Sequence, residues 1–175
     1  MAEGYRASLD RIAAHAHVAR QTLYNHFHCK EALFDEVIRN TMREVLVTLE
    51  ADAGDLRPAL VQFAGAYRQK VLGKCALATL RALAAETPRC PELGRSVLTA
   101  GPEQTAASLA RFLDRAMTRG ELRRDDPRLA AELLIGMLTG YERVFGLLDA
   151  ENDLLADPAR GERVVDCFLR AYRPE

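Results

Sequence analysis

Residues 8–30 read SLDRIAAHAHVARQTLYNHFHCK, and the spacing of their apolar positions decides the fold. Leu9, Ile12, Ala13 and Ala16 fall at i, i+3, i+4 and i+7, which gathers them on one face of a helix. Ser8 precedes that face, where its hydroxyl can accept from a free N–H of the first turn. Asp10 lies inside the turn, where the helix dipole favours negative charge. After a tight turn, Leu23 and Phe27 continue the buried face on a second helix. Val18, the lone apolar residue of the turn, is expected to plug the gap between the two helices. Arg20, Gln21, Thr22, Tyr24, Asn25 and His26 are polar or amphipathic and are expected to point outward.

A short helix whose outer face is made of hydrogen-bonding groups, propped by a second helix, has the form of a helix-turn-helix, whose second helix enters the DNA major groove. The side chains suit that task. Arg pairs bidentately with guanine, and Gln or Asn with adenine. Thr, Tyr and His hold phosphate oxygens, and Lys30 does so as a point charge.

The longer run SLDRIAAHAHVARQTLYNHFHCKEALFDEVI resembles the DNA-binding segment of the TetR family of transcriptional regulators, most specifically at TLYNHF followed by KEALF. The resemblance implies that Arg20, Gln21, Thr22, Tyr24 and Asn25 lie on a recognition helix. It implies that Tyr24 and His26 grip the DNA backbone and that Lys30 opens the next helix and touches a phosphate; Ser8 is counted with them among the DNA-binding candidates. Several positions depart from the family pattern. A first helix of about a dozen residues is expected before the Gly-Tyr pair. Here Gly4-Tyr5 comes almost at once, so a shortened first helix or an upstream start is expected. His17 stands where the turn usually has Gly, which tolerates left-handed backbone. Ala19 and Cys29 stand where the following helices usually have a capping Ser or Thr.

Length and composition bound the rest. The 175 residues suffice for one good core, or for a small domain joined to a larger one. Net charge is −1, which argues against broad, unspecific affinity for nucleic acid. The balance is uneven, with net +2 in residues 1–30 and −3 in the remainder. Cys29, Cys75, Cys90 and Cys167 form no CxxC pair and read as reduced, mostly buried thiols of a cytoplasmic protein. No apolar run approaches membrane-spanning length, so no membrane partner is expected.

Beyond Lys30 the chain reads as helix throughout. Leu33, Phe34, Val37, Ile38, Met42, Val45, Leu46 and Leu49 keep helical spacing to about Asp52, giving a rod of roughly 30 Å. Further helices are predicted from Arg57 to Gly73, Cys75 to Glu86, Pro91 to Leu98, Pro102 to Gly120, Asp126 to Leu148 and Ala159 to Tyr172. Gly101-Pro102 is expected to break the chain between two of them. The Asp126–Leu148 helix is apolar on more than one side, which predicts packing inside its own domain and against a second chain. Residues 86–138 resemble the C-terminal domain of AefR-like TetR regulators, through PEL, GP, RGELR, DDP and LAA. That resemblance implies a homodimer through the last two long helices and a small-molecule cavity in each bundle.

The fold class is therefore all-α: a helix-turn-helix DNA-binding domain over residues 1–45, then a larger helical ligand-binding and dimerisation bundle over 46–175. Tyr67, Thr79, Arg81 and Tyr141 carry polar tips that a dry core would not select, and with Phe112 and Met137 they are the candidate ligand contacts. No cofactor is implied. His15, His17, His26, His28 and Cys29 cluster in sequence, but they have no standard zinc spacing and no metal site is expected. No catalytic constellation is present. The functional expectation is a ligand-responsive repressor, binding a palindromic double-stranded operator as a homodimer and released by an apolar small-molecule effector. The Lys30–Asp52 helix is the expected transmitter between the two sites. The alternative is a TetR-like dimer that has lost DNA binding and keeps only a small-molecule or protein-binding role.

Overall fold

The computed structural model describes residues 8–49, 55–148, 153 and 155–174, excepting the side chains of residues 30 and 31. Among them the chain is helical and contains no strand. The expectation of a shortened first helix falls on residues 1–7, outside the described residues, as does the end of the long helix near Asp52.

Two short helices come first, α1 (Leu9–His15) and α2 (Arg20–His26). Helix α3 (Lys30–Leu46) continues into a 3-10 turn, Val47–Leu49. The bundle follows: α4 (Leu56–Leu72), α5 (Lys74–Glu86), α6 (Pro91–Leu98), α7 (Gln104–Thr118), α8 (Pro127–Leu148) and α9 (Arg160–Ala171). Apolar periodicity explains which faces meet. Leu56, Leu60, Phe63, Ala64 and Tyr67 line the inner face of α4, and Leu109, Phe112, Leu113, Ala116 and Met117 that of α7. They join Leu134 and Leu138 of α8 and Val165 and Phe168 of α9 in one core. Helix α7 ends in a Schellman motif. Gly120 takes φ 75°, its N–H donates to Met117 O, and the N–H of Glu121 reaches Ala116 O.

The chain differs from expectation at Gly101-Pro102. It does not break there. Thr99–Glu103 forms a π-helical turn that joins α6 to α7 without interruption. Pro102 has no N–H to give, and the wide turn absorbs it. Gly101 is buried at that point, and a Cβ on it would sit 3.0 Å from Ile38 Cγ2 of α3. Ser96 of α6 donates to the Asp35 carboxylate of α3 close by.

The bundle interior also holds charge. Arg68 of α4 is 3% exposed. Its guanidinium pairs with both oxygens of Glu142 on α8 and donates to Leu138 O at 2.7 Å. Helix α9 crosses closely here, because a Cβ on Gly161 would lie 3.3 Å from Arg68 Cδ. At the other end of α4, Arg57 clamps α9 through Asp166 and Glu162, each at 2.7 Å.

Removing one partner of a buried ion pair strands the other charge, which costs about 3–5 kcal/mol. Glu142→Ala is therefore expected to lower the unfolding free energy by about that amount in urea titration, and Glu142→Gln by less. A loss below about 1 kcal/mol, typical of a solvent-exposed pair, would mean that the pair is not sealed from water.

Candidate functional site

Helix α1 forms as its sequence dictates. Ser8 Oγ accepts from Arg11 N–H at 3.3 Å, Asp10 occupies the first turn, and Leu9 and Ala13 are buried. The turn that follows is held by backbone hydrogen bonds, with Val18 N–H on Ala13 O at 3.0 Å. Val18 itself is 41% exposed and so does not plug the gap between the helices. His17 takes φ 55°, left-handed backbone that costs a non-glycine residue roughly 1–2 kcal/mol. Ala19 at the start of α2 and Cys29 at the start of α3 make no side-chain cap, in line with the residue types.

Helix α2 has no buried residue. Arg20, Gln21, Thr22, Tyr24, Asn25 and His26 all stand on its exposed surface, as expected of a face that reads DNA. Four of them are already engaged. Arg20 Nη2 lies 2.6 Å from Asp10 Oδ2, and Tyr24 Oη donates to Asp10 Oδ1 at 3.4 Å. Gln21 donates to Asn25 Oδ1 at 3.0 Å. One carboxylate thus holds two groups suited to base or phosphate contact. The Arg20–Asp10 pair is exposed and so worth at most about 1 kcal/mol, weak enough for a phosphate or guanine edge to displace it. Lys30 is the first residue of α3, and its side chain lies outside the described set.

The six candidate ligand residues do not converge. Tyr67 and Phe112 belong to the same buried core. Burial holds the Tyr67 phenol above its ordinary range, opposed by the charge of Arg143 and a hydrogen bond with Thr139. Arg81 of α5 donates to Gly146 O of α8 at 2.6 Å, and Thr79 Oγ1 donates to Cys75 O within its own helix. Met137 and Tyr141, 42% and 71% exposed, lie on the outer face of α8.

That outer face is a stripe of Leu129, Leu133, Met137, Tyr141, Val144, Phe145 and Leu148, all exposed. Gly136 and Gly140 open onto empty space beside it. An adjoining depression of about 370 Å³ is lined by Met137, Arg160, Arg163, Val164 and Cys167. Cys29, Cys75 and Cys167 are exposed and Cys90 is half-buried, so the thiols do not follow the expected burial. Among the described residues no group of three metal-ligating side chains gathers, and no helix is long and apolar enough to cross a membrane.

Sequence reasoning missed the interior polar set of Arg68, Thr139, Glu142 and Arg143. A signal was available. Glu142 follows Leu138 by four residues, which turns it toward the same side of α8 as the buried Leu134 and Leu138.

Residues 58–174 match the family model of the AefR-like transcriptional repressor C-terminal domain. Residues 1–37 match that of the bacterial regulatory proteins of the tetR family. The chain is 31% identical to a protein from Mesorhizobium loti MAFF303099 assigned to the TetR-family transcriptional regulators. That match covers 97% of this chain and 86% of the other, with a TM-score of 0.74. The flavonoid-responsive regulator FrrA is also 31% identical, covering 99% of this chain and 90% of its own, with a TM-score of 0.71. A TetR transcriptional regulator from Agrobacterium tumefaciens, at 24% identity, shares the fold with a TM-score of 0.75 over 96% of this chain and 84% of the other. No curated protein matches the chain by sequence.

The turn and caps of the first two helices yield a direct test. His17→Gly is expected to stabilise the unit by about 1 kcal/mol, and Ala19→Ser by a similar amount. Slower amide exchange in α1 and α2 would register both. Faster exchange in His17→Gly would contradict the left-handed turn.

Proposed function

The chain belongs to the TetR family of transcriptional regulators, and from that membership we propose that it is a ligand-responsive repressor, acting in the cytoplasm as a homodimer on a palindromic operator. It is a regulator and not an enzyme. The observation that carries the DNA-binding reading is α2: a capped supporting helix behind it, no buried residue in it, and six hydrogen-bonding side chains along its exposed surface. Arg20, Gln21 and Asn25 are the proposed base readers. Ser8, Thr22, Tyr24, His26 and Lys30 are the proposed backbone contacts. In the proposed division, residues 1–45 read DNA and residues 46–175 bind effector and partner. The boundary then falls inside α3, which makes that helix the proposed transmitter.

The proposed dimer forms through α8 and α9. Its support is the exposed apolar stripe on α8, a large unpartnered surface for a single chain. Two recognition helices would then meet successive major grooves one helical turn or more apart. An apolar small molecule within the bundle, with Tyr67, Thr79, Arg81 and Phe112 as proposed contacts, would release DNA by binding better to the arrangement that misplaces those helices; Met137 and Tyr141, on the outer face of α8, fall to the dimer surface instead. The description of FrrA as flavonoid-responsive supports an effector of this general kind.

A second reading has its own motive in the left-handed His17 and the uncapped Ala19 and Cys29: a dimer of this family that no longer reads DNA. Selection of bound fragments from genomic DNA separates the two. Enrichment of a palindromic site supports the repressor, and no enrichment supports the second reading.

On such a site, Arg20→Ala or Asn25→Ala is expected to cost about 1–3 kcal/mol at particular base pairs. Lys30→Ala is expected to weaken all sequences alike and to reduce the salt slope by about one. A uniform loss for all three would remove Arg20 and Asn25 as base readers. For the dimer, Leu133→Glu combined with Met137→Glu is expected to give a monomer in sedimentation. A dimer that survives both charges would refute the α8 interface.

A further inference from the structure

We propose that Asp10 is a positioning residue for DNA reading: it holds the Arg20 guanidinium with one edge turned to a base pair, and so sets the specificity at that pair. This rests on the reading of α2 as a recognition helix with Arg20 as a base reader. It adds a residue that itself needs no contact with DNA.

Asp10 lies in the first turn of α1, yet both of its oxygens serve α2. Oδ2 accepts from Arg20 Nη2 at 2.6 Å, and Oδ1 accepts from Tyr24 Oη at 3.4 Å. Arg20 and Tyr24 are four residues apart, so they share one side of α2. One carboxylate thus fixes two side chains of that side relative to each other and to α1. The rest of the guanidinium is open. The Arg20 side chain is 69% exposed, and its other nitrogens take no partner among the described residues. Nη2 carries two hydrogens, one on each of the two paired edges of a guanidinium. The bond to Asp10 uses one of them. The other edge keeps two parallel N–H groups, which is what guanine O6 and N7 require. Asp10 therefore need not release Arg20 for a guanine to be read.

Taken alone, an exposed pair of this kind is weak enough to be displaced. Charge decides between its fates. If Arg20 left for a phosphate, the Asp10 carboxylate would remain uncompensated beside the DNA backbone, where like charges repel. If Arg20 reads a guanine through its open edge, the carboxylate stays neutralised. Excluding water from the interface then strengthens the pair. Asp10 thus biases Arg20 toward a base and away from phosphate. It also restricts the rotamers that a long exposed arginine would otherwise sample.

The test binds the full chain to a duplex library randomised over about two helical turns and sequences the bound fraction. Arg20→Ala is expected to lose about tenfold in discrimination at one base pair of each half-site. Asp10→Ala is expected to lose about threefold or more at that same pair and nowhere else, and the double variant no more than Arg20→Ala. Freed from its carboxylate, Arg20 finds phosphates. Asp10→Ala is therefore also expected to bind random sequence more tightly, with a salt slope steeper by about one per subunit. A merely structural role for Asp10 would lower specific and random binding together. Asp10→Asn, isosteric and still an acceptor, is expected to fall between; it replaces the Ala variant if that fails to fold, and unchanged discrimination in it then overturns the proposal. Full discrimination in Asp10→Ala, a uniform loss, or a loss at a different base pair overturns the positioning role and leaves the reading of α2 standing. No enriched site with the unaltered chain overturns the reading of α2, and no base pair lost in Arg20→Ala removes Arg20 as a reader; the positioning role falls with either.

Discussion

The bundle depends on the burial of Arg68. A guanidinium at 3% exposure must have its donors answered by protein, and α8 supplies three acceptor oxygens among the described residues. Glu142 supplies two oxygens and Leu138 a carbonyl. That requirement fixes the rotation of α8 about its axis. With Leu138 and Glu142 turned toward α4, the stripe from Leu129 to Leu148 must turn away. The same requirement acts on α9. It can close over the arginine stem because Gly161 presents no Cβ, and any larger residue would press on Arg68 Cδ at about contact distance. Three helices are therefore set in phase by one charged pair, whose own net energy is small compared with the cost of leaving it half made.

The helices themselves were legible because their apolar residues recur with a helical period, and their boundaries fell within a residue or two of Gly73, Gly120 and Pro127. The join at Pro102 was not legible. Proline followed by polar residues looks the same in sequence whether a chain stops and restarts or passes through a wide turn, and contact with Ile38 from another helix favours the second. On α8 the double apolar character was readable, but the side each residue faces was not. Tyr141 and Met137 were chosen as ligand contacts by residue type, while rotation about the helix axis carries them outward. Glu142 was passed over because the adjacent charges of Glu142 and Arg143 suggest solvent, although its spacing of four from Leu138 pointed inward.

In the N-terminal unit the sequence and the structure agree on an unusual economy. Helix α2 has seven residues, about half of what an isolated helix needs to persist in water. It has no cap, no buried side chain, and a strained residue before it. Its order is therefore borrowed from α1, partly through Asp10, which reaches both Arg20 and Tyr24. The groups offered outward are the same ones that tether the helix to its support, so reading a surface and holding the helix in place draw on one set of hydrogen bonds.

The wide turn at Thr99–Glu103 makes α6 and α7 a single rod with a built-in phase error. One residue of an α-helix advances the azimuth by about 100°. The extra residue in the π turn therefore sets the bearing of α6 independently of α7, whose own bearing is dictated by the core. Deleting one residue there would keep the rod and the core but swing Ser96 about a quarter-turn or more away from Asp35. The turn works as a gear offset: any roll of α7 about its axis reaches α3 at an angle that the insertion has chosen.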